Sequence, residues 1–525
     1  MKNYVTYGIF IMLCLSSFTV LAAPSQGTTK HNSNQVNMGD DDLDPLVDVS
    51  VTVDIKEIRS LEKRDGKLFP TDKLNLVGNP NFYVKVFINN ETFTSPTWEN
   101  MKYVNDPNWS ATLNVPDNVE FVNVTIELWD ASPIGNKLCD ISGAYTTYPD
   151  SFILHLQYSI KTGHWTGDDH IYHNGFFEDP DTSGYGRANG CDDNSIYQNN
   201  RDCELWFDIH QNDFDGDGIP YWTEVNVFHT DPTVNNTGED TDGDGVPIEW
   251  EFKWGFSQRH HWGNESSEYV WLYDPNTWED HAHLDDDNDG LTNVEEYLTS
   301  QWGSDPFHRD LFIEMDQMAG GPNGEPASIF PDNAKELLRT AHDKQNIVYH
   351  LDDGSWVGSG SDMIPFDNLT EMSFQDNNSE LMQIYINYFL HGDQNNWRRG
   401  VFHYGVVIYQ CSMANGNAFG SGAFQISSNG LNKKAKQPLL NRDVVYASAY
   451  MHETGHTLAI DNPAVDNSNI EYPWQLGWWL FRHYRSVMNY GYMFQMVDYS
   501  DGSRGINDFD DWHNLDLTAF QRSHF

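Results

Sequence analysis

Two histidines and a glutamate near the C-terminal end carry the clearest chemical signal in this 525-residue chain. His452 and His456 stand four positions apart, and Glu453 follows the first of them. On an α-helix this spacing places both imidazoles on one face, about one turn apart. Two ring nitrogens on one rigid helix can hold a zinc ion, and the neighbouring carboxylate can act as a general base on water. The pattern therefore predicts zinc-dependent hydrolysis.

The residues before this motif must form the helix that positions it. Nearly every side chain in residues 444–451 is apolar, which is typical of a helix buried in a core. Asn441 or Asp443 offers an N-cap at one end, and Pro463 lies just beyond the other end. We therefore expect one buried helix that carries both histidines and the glutamate.

A second element follows about thirty residues later, where residues 486–490 read Ser-Val-Met-Asn-Tyr. Together the two stretches resemble the metzincin class of zinc metalloproteases, in which a Met-turn forms a hydrophobic floor beneath the metal. The resemblance implies a zincin catalytic domain with Met488 in that floor. It also implies a catalytic role for Tyr490, near the metal or the developing oxyanion, although simple packing is an equal alternative for this tyrosine.

The class pattern continues H-E-x-x-H-x-x-G-x-x-H (or D), and the chain departs from it. Ala459 stands at the glycine position, and Asn462, a poor zinc ligand, stands at the position of the third ligand. We expect Asp461, one position earlier, to complete the zinc site. The sequence leaves open the alternatives Asp466, Glu471, His483 and an acidic residue of the tail at 498–511.

A repeated acidic pattern occupies residues 211–305. Aspartate stands at positions 1, 3 and 5 of a loop, glycine at position 6 and glutamate at position 12, and the pattern occurs three times. This is the spacing of an EF-hand loop, whose crowded carboxylates bind calcium. The predicted calcium ligands are Asp213, Asp215, Asp217 and Glu224 in loop 1, Asp240, Asp242, Asp244 and Glu251 in loop 2, and Asp285, Asp287, Asp289 and Glu296 in loop 3. The Asp-Gly-Asp-Gly stretches of loops 1 and 2 resemble thrombospondin type 3 repeats, which implies a spacer stiffened by structural Ca²⁺.

Residues 46–210 alternate between apolar and polar side chains. Valines at 47, 49, 51 and 53 set this period, and similar runs occur at 82–86 and 122–128, with turn residues between them. Such a pattern predicts an antiparallel β-sandwich. Asp130 after an Ile-Glu-Leu-Trp strand loosely resembles C2 domains. The alternative is an ordinary sandwich that serves as a prodomain or as a module for binding a surface or glycan.

Residues 306–525 predict the catalytic domain. We expect strands at 310–316, 347–351 and 402–409, a helix at 331–343 and an edge strand at 418–426 before the motif helix. This order is the one expected of a zincin α+β domain. The edge strand offers unpaired backbone groups that an extended peptide can pair with.

The N-terminus and the charge bound the setting of the protein. Residues 1–23 have the lysine, apolar run and small residues of a secretory signal peptide, and residues 24–45 read as a flexible leader. No later stretch is apolar enough to span a membrane. With 78 acidic and 30 basic residues, the net charge is -48. Such a chain repels nucleic acid and anionic lipid, so neither is an expected partner.

The sequence as a whole predicts a secreted, extracellular, multidomain zinc endopeptidase. Zn²⁺ would serve catalysis, Ca²⁺ would serve structure, and proteins or peptides would be the substrates. The main alternative is a calcium-dependent adhesive or surface-binding protein with a degenerate protease domain. A zinc hydrolase that acts on a different substrate is a further alternative.

Overall fold

The structure is a computed structural model, and it describes residues 46–61, 79–133, 135–142, 149–169, 180–181, 184–191, 201–260, 267–373, 379–420 and 422–522. The predicted signal peptide (1–23) and nearly all of the leader (24–45) lie outside these ranges. Within them, no helix combines the length and the apolar character needed to cross a membrane.

Antiparallel strands dominate the N-terminal region. The strands are β1 (Ser50–Ser60), β2 (Phe82–Ile88), β3 (Glu91–Thr94), β4 (Tyr103–Asn114), β5 (Phe121–Asp130), β6 (Lys137–Leu138), β7 (Leu154–Ser159), β8 (His164–Gly167), β9 (Pro180–Asp181), β10 (Arg187–Asn189) and β11 (Cys203–Gln211). One sheet has the order β10-β11-β1-β4, and the other has the order β3-β2-β5-β7-β8 with β6 beside β5.

The core between these two sheets follows the predicted alternation. On β1 the side chains of Val51, Val53 and Ile55 are buried, and on β5 those of Val124 and Ile126 face the same core. Each strand thus buries one face, as antiparallel sheets with one solvated side do. The prediction of an antiparallel, sheet-rich N-terminal region is confirmed.

The middle region holds the three acidic loops and a small aromatic core. Its elements are α1 (Tyr221–Thr223), a π-helical turn (Glu224–Phe228), α2 (Ile248–Gly255), β12 (Phe256–His260), β13 (Ser267–Trp271), α3 (Asn293–Thr299) and a 3₁₀ turn (Ser300–Trp302). A helix begins after each acidic loop. Thr292 caps α3 in a capping box with Glu295. Trp250, Trp254 and Tyr273 fill much of the core beside these helices.

A mixed sheet forms the base of the C-terminal region. Its strands are β14 (Arg309–Met318), β15 (Ile347–Asp352), β16 (Met363–Ile364), β17 (Phe402–Ile408), β18 (Gly416–Phe419) and β19 (Ala423–Ser427). The order is β15-β14-β17-β19-β18, with β16 beside the end of β14. All neighbours are parallel except β18, which runs antiparallel to β19 at the edge.

Helices cover both faces of this sheet. They are α4 (Asp332–Asp343), α5 (Glu380–Ile384) with a π-helical turn (Tyr385–Phe389), α6 (Arg398–Val401), α7 (Ser428–Lys434), α8 (Arg442–Thr457), α9 (Leu476–Leu480), α10 (Asp511–Asn514) and a 3₁₀ turn (Ala519–Arg522). Helices α4 and α8 pack together on one face. Helix α8 contacts β17, β18 and β19, so the motif lies beside the edge of the sheet.

Two sequence expectations about this region are refined by the structure. Helix α8 is buried as predicted, and Asn441 caps it by accepting hydrogen bonds from the N–H groups of Asp443 and Val444. The single edge strand expected at 418–426 is instead a hairpin of β18 and β19. Gly420 has a φ of +67°, which favours glycine, and this conformation turns the chain between the two strands.

Candidate metal sites

The structure brings His452, His456 and Asp466 together at one end of α8. The two Nε2 atoms lie 3.3 Å apart. The carboxylate oxygens of Asp466 lie 3.7 Å from Nε2 of His452 and 3.6 Å from Nε2 of His456. Three donor atoms from a helix and the following loop therefore converge on one point.

Asp461, the third ligand expected from the sequence, is not part of this group. Its side chain is exposed, whereas the chain turns at Asn462, whose carbonyl accepts from the N–H groups of Val465 and Asp466. Val465 is fully buried. Because the core holds Val465, the next residue points its carboxylate at the imidazoles. The expectation for Asp461 was wrong, and Asp466 takes that place.

Glu471 and His483, which the sequence also allows as the third ligand, make contacts elsewhere. Glu471 lies 3.6 Å from the ammonium group of Lys434. His483 accepts a hydrogen bond from Nε of Arg482. Neither residue belongs to the group around His452 and His456.

A hydrogen bond fixes the orientation of His452. Its Nδ1 lies 2.9 Å from the carbonyl oxygen of Val487, so Nδ1 donates and Nε2 presents a lone pair to the site. Burial, reinforced by the nearby His456, lowers the pKa of His452 to about 4. At neutral pH this imidazole is uncharged, which is the form that binds a metal.

Met488 lies directly beneath the helix, as the Met-turn resemblance implies. A Cβ atom at Gly455 would lie only 2.6 Å from Sδ of Met488. Glycine at this position of α8 therefore allows the methionine to pack against the backbone between Glu453 and His456. The close approach explains why a small residue is needed inside this helix.

Tyr490 also lies at the site. Its ring centroid is 5.6 Å from that of His452, and its hydroxyl hydrogen-bonds with Asp466. Burial and the charge of Asp466 raise the pKa of Tyr490, so the phenol stays protonated at neutral pH. A protonated hydroxyl can donate a hydrogen bond at the site.

Glu453 faces the edge strand β18 from the same end of the helix. A Cβ atom at Gly416 would overlap the Glu453 carboxylate, and the backbone of Ala418 hydrogen-bonds to it. The side chain is only 3% exposed. Burial, followed by the charge of Asp466, raises the pKa of this carboxyl well above its usual range.

The three donors fit a zinc ion. Zn–N bonds of about 2.0–2.1 Å in a tetrahedron require ligand atoms roughly 3.3 Å apart, which matches the separation of the two Nε2 atoms. One Asp466 oxygen is buried and has no hydrogen-bond partner among the described residues. Two neutral imidazoles and one carboxylate form a known catalytic zinc set.

The three acidic loops share one backbone geometry. In each loop the aspartate at position 1 accepts hydrogen bonds from amides inside the loop, including that of the glycine at position 6. These pairs are Gly218 with Asp213, Gly245 with Asp240, and Gly290 with Asp285. The recurring turn points the remaining carboxylates inward, as calcium loops do.

Several inward carboxylates lack any partner that neutralises them. Both side-chain oxygens of Asp215 and Asp242, and one of Asp287, are buried with no hydrogen bond within the described ranges. Burial and like charges raise the pKa of Glu224 to about 7 and that of Asp242 to about 6. A buried carboxylate without a partner is costly, so these loops fit cations held by oxygen.

Some residues at these sites were missed by the sequence analysis. The N–H of Asp310 donates to the Asp289 carboxylate of loop 3, and Asp305 lies close by. His281 and Glu279 approach loop 2 from outside it. No local spacing links these residues to the loops, because folding alone brings them there.

Comparisons with known proteins leave the family open. No family model matches the chain, and no curated protein matches it. Solved structures with low similarity include a C2 domain (12% identity, 31% of this chain, 97% of that chain, TM-score 0.17), a C2-type domain of plant Extended Synaptotagmin 1 (12%, 31%, 95%, 0.15) and human GIVD cytosolic phospholipase A2 (10%, 31%, 17%, 0.16). The chain thus spans less than a fifth of the phospholipase. These similarities give no information about function.

Proposed function

We propose that this protein is a secreted zinc-dependent endopeptidase. The observation that carries the proposal is the convergence of His452, His456 and Asp466, with Glu453 on the same helix turn beside an open sheet edge. The predicted signal peptide supports action outside the cell.

Each residue of the site has a distinct role in this proposal. His452, His456 and Asp466 would hold the zinc, which when bound polarises the scissile carbonyl and acidifies a water. Glu453 accepts the proton of the attacking water and passes it to the leaving amine. Because its pKa is raised, the carboxyl retains that proton near neutral pH. The protonated hydroxyl of Tyr490 can donate to the developing oxyanion.

The edge strand supports a peptide as the substrate. Strand β18 has a partner on one side only, and its Gly416 and Ala418 lie against the Glu453 carboxylate. A peptide that pairs with the free side of β18 would run past the general base in an extended conformation. Backbone pairing binds peptides of many sequences, which suits an endopeptidase.

The acidic loops would bind structural calcium. Their carboxylates are crowded, partly buried and oxygen-only in loops 1 and 3. Calcium would neutralise this repulsion and stiffen the connection between the N-terminal sheets and the C-terminal region.

Cleavage of an unstructured protein such as casein tests the proposal. We expect Glu453→Gln to lower kcat/KM by about 10²- to 10⁴-fold while zinc stays bound. Glu471→Gln is the matched control, because Glu471 pairs with Lys434 outside the site, and it should keep wild-type activity. Wild-type protein that holds zinc yet cleaves no peptide would favour the adhesive or surface-binding alternative.

A pair of aspartate variants tests the ligand set. We expect Asp466→Asn to weaken zinc binding by more than about 100-fold, since even the loss of an outer-sphere partner costs 10- to 100-fold. Asp461→Asn should bind zinc like the wild type. The reverse result, measured by competition with a chromophoric chelator, would restore Asp461 as the ligand.

A further inference from the structure

Loop 2 differs from loops 1 and 3 by a buried imidazole. His281 has no exposed surface, and its Nε2 atom lies 3.2 Å from an oxygen of Asp244, 3.8 Å from Glu251 and 3.9 Å from Glu279. In loops 1 and 3 the corresponding groups of possible ligands contain only carboxylates.

The imidazole is held firmly in this position. Its ring packs edge-on against Trp250 and Tyr273, with centroids 5.9 Å and 5.1 Å away. The side-chain amide of Asn293 lies 2.8 Å from Nδ1. A half-turn of this amide lets its oxygen accept the Nδ1 proton, which leaves the Nε2 lone pair directed at the carboxylates.

The group lacks a compensating charge. Glu251 has no exposed surface, and neither of its carboxylate oxygens has a hydrogen-bond partner among the described residues. Both oxygens of Asp242, in the same loop, are also buried without partners. A protonated imidazole would offer a single N–H at Nε2 and a single charge, which does not neutralise the carboxylates that face it. A divalent cation does both.

The nitrogen donor indicates which cation. Calcium binds through six to eight oxygens, whereas imidazole with carboxylates is a ligand set of zinc and the other first-row divalent ions. The separation of 3.2 Å between Nε2 and the Asp244 oxygen matches the spacing of roughly 3.3 Å in tetrahedral zinc. We propose that loop 2 is a second zinc-type site, formed by His281, Asp244 and Glu251, rather than a calcium site.

Metal analysis in excess calcium tests this proposal. The double substitution His452→Ala/His456→Ala removes the zinc site on α8, so the remaining zinc reports on loop 2 alone. We expect about one equivalent of zinc to stay bound to this variant. Adding His281→Gln should abolish that zinc, and adding His283→Gln should not. His283 is a suitable control because it lies two residues away, is mostly exposed and contacts Asp280.

X-ray absorption of the zinc-loaded double variant gives a second test that leaves His281 intact. Imidazole scattering around the zinc would support the proposal. Oxygen-only coordination, or no retained zinc together with calcium at all three loops, would overturn it. Neither result depends on peptide cleavage, so failure here and failure of the protease proposal are distinguishable.

Discussion

The main-chain N–H of Asp310 donates a hydrogen bond of 2.6 Å to the carboxylate of Asp289. This contact joins loop 3 to the second residue of β14, at the start of the C-terminal sheet. Asp310 in turn binds Nε2 of His350 on the neighbouring strand β15, also at 2.6 Å. An ion in loop 3 would therefore stabilise the sheet that supports α8.

Substitutions at Asp289 should separate its charge from its hydrogen bond. Burial and the nearby Asp310 raise the pKa of Asp289, so its charge is unfavourable without a cation. With EGTA we expect Asp289→Asn, which keeps an acceptor oxygen, to melt no lower than wild type. Asp289→Ala should lose about 1–3 kcal/mol of unfolding free energy. With calcium, both variants should be less stable than wild type, because each loses a ligand.

Differential scanning calorimetry with and without EGTA makes this comparison. Asp280→Asn serves as a control, because Asp280 is an exposed partner of His283 and belongs to none of the three loops. A wild-type melting temperature that is the same over a wide range of calcium concentration would contradict structural calcium in the loops.

Gly455 and Met488 should show strong energetic coupling. A methyl group at Gly455 meets Sδ of Met488 at 2.6 Å, so we expect Gly455→Ala to cost about 1–3 kcal/mol and to weaken zinc binding. Met488→Ala creates space, so the double variant should cost less than the sum of the two single variants. Additive costs in urea unfolding would show that Met488 does not pack against this turn.

Ala459 should be improved by glycine. The residue follows α8 with a φ of +60°, and the N–H of Ile460 bonds back to the carbonyl of Gly455. A left-handed conformation costs a non-glycine residue roughly 1 kcal/mol. Ala459→Gly should therefore raise stability by about this amount, with activity unchanged. Ala464→Gly, at an exposed position without a positive φ, should give no gain.

Local patterns predicted much of this structure. Alternating valines such as Val51 and Val53 indicated the N-terminal sheets, and the apolar run before His452 indicated a buried helix. The acidic loops followed from their spacing alone, since the positions that turn and bind lie within twelve residues.

Contacts between distant residues were beyond such patterns. Asp466 reaches the imidazoles only because Val465 is anchored in the core after an irregular turn. His281 lies 30 residues from Glu251 in the chain, and Asp310 lies 21 residues from Asp289. Their placement depends on how the helices and strands pack, for which the sequence carries no local period.

The stability of the C-terminal region should fall in mild acid through buried histidines. His342 on α4 is fully buried, and burial lowers its pKa from 6.5 to about 4. Between these pH values the unfolded chain binds a proton that the folded His342 does not. Stability therefore decreases as pH falls from about 6.5 to about 4, by up to roughly 3 kcal/mol for this residue. His403, with a pKa lowered to about 3 by burial, acts in the same direction.

Urea unfolding followed by tryptophan fluorescence measures this dependence, since the ring of Trp512 lies 5.5 Å from that of His342. We expect His342→Phe to reduce the slope of unfolding free energy against pH between 4 and 6.5, even if its stability at pH 7 differs from wild type. His513→Gln, at an exposed position on α10, should leave the slope unchanged. The same slope in wild type and His342→Phe would mean that His342 takes up its proton in the folded protein as readily as in the unfolded chain.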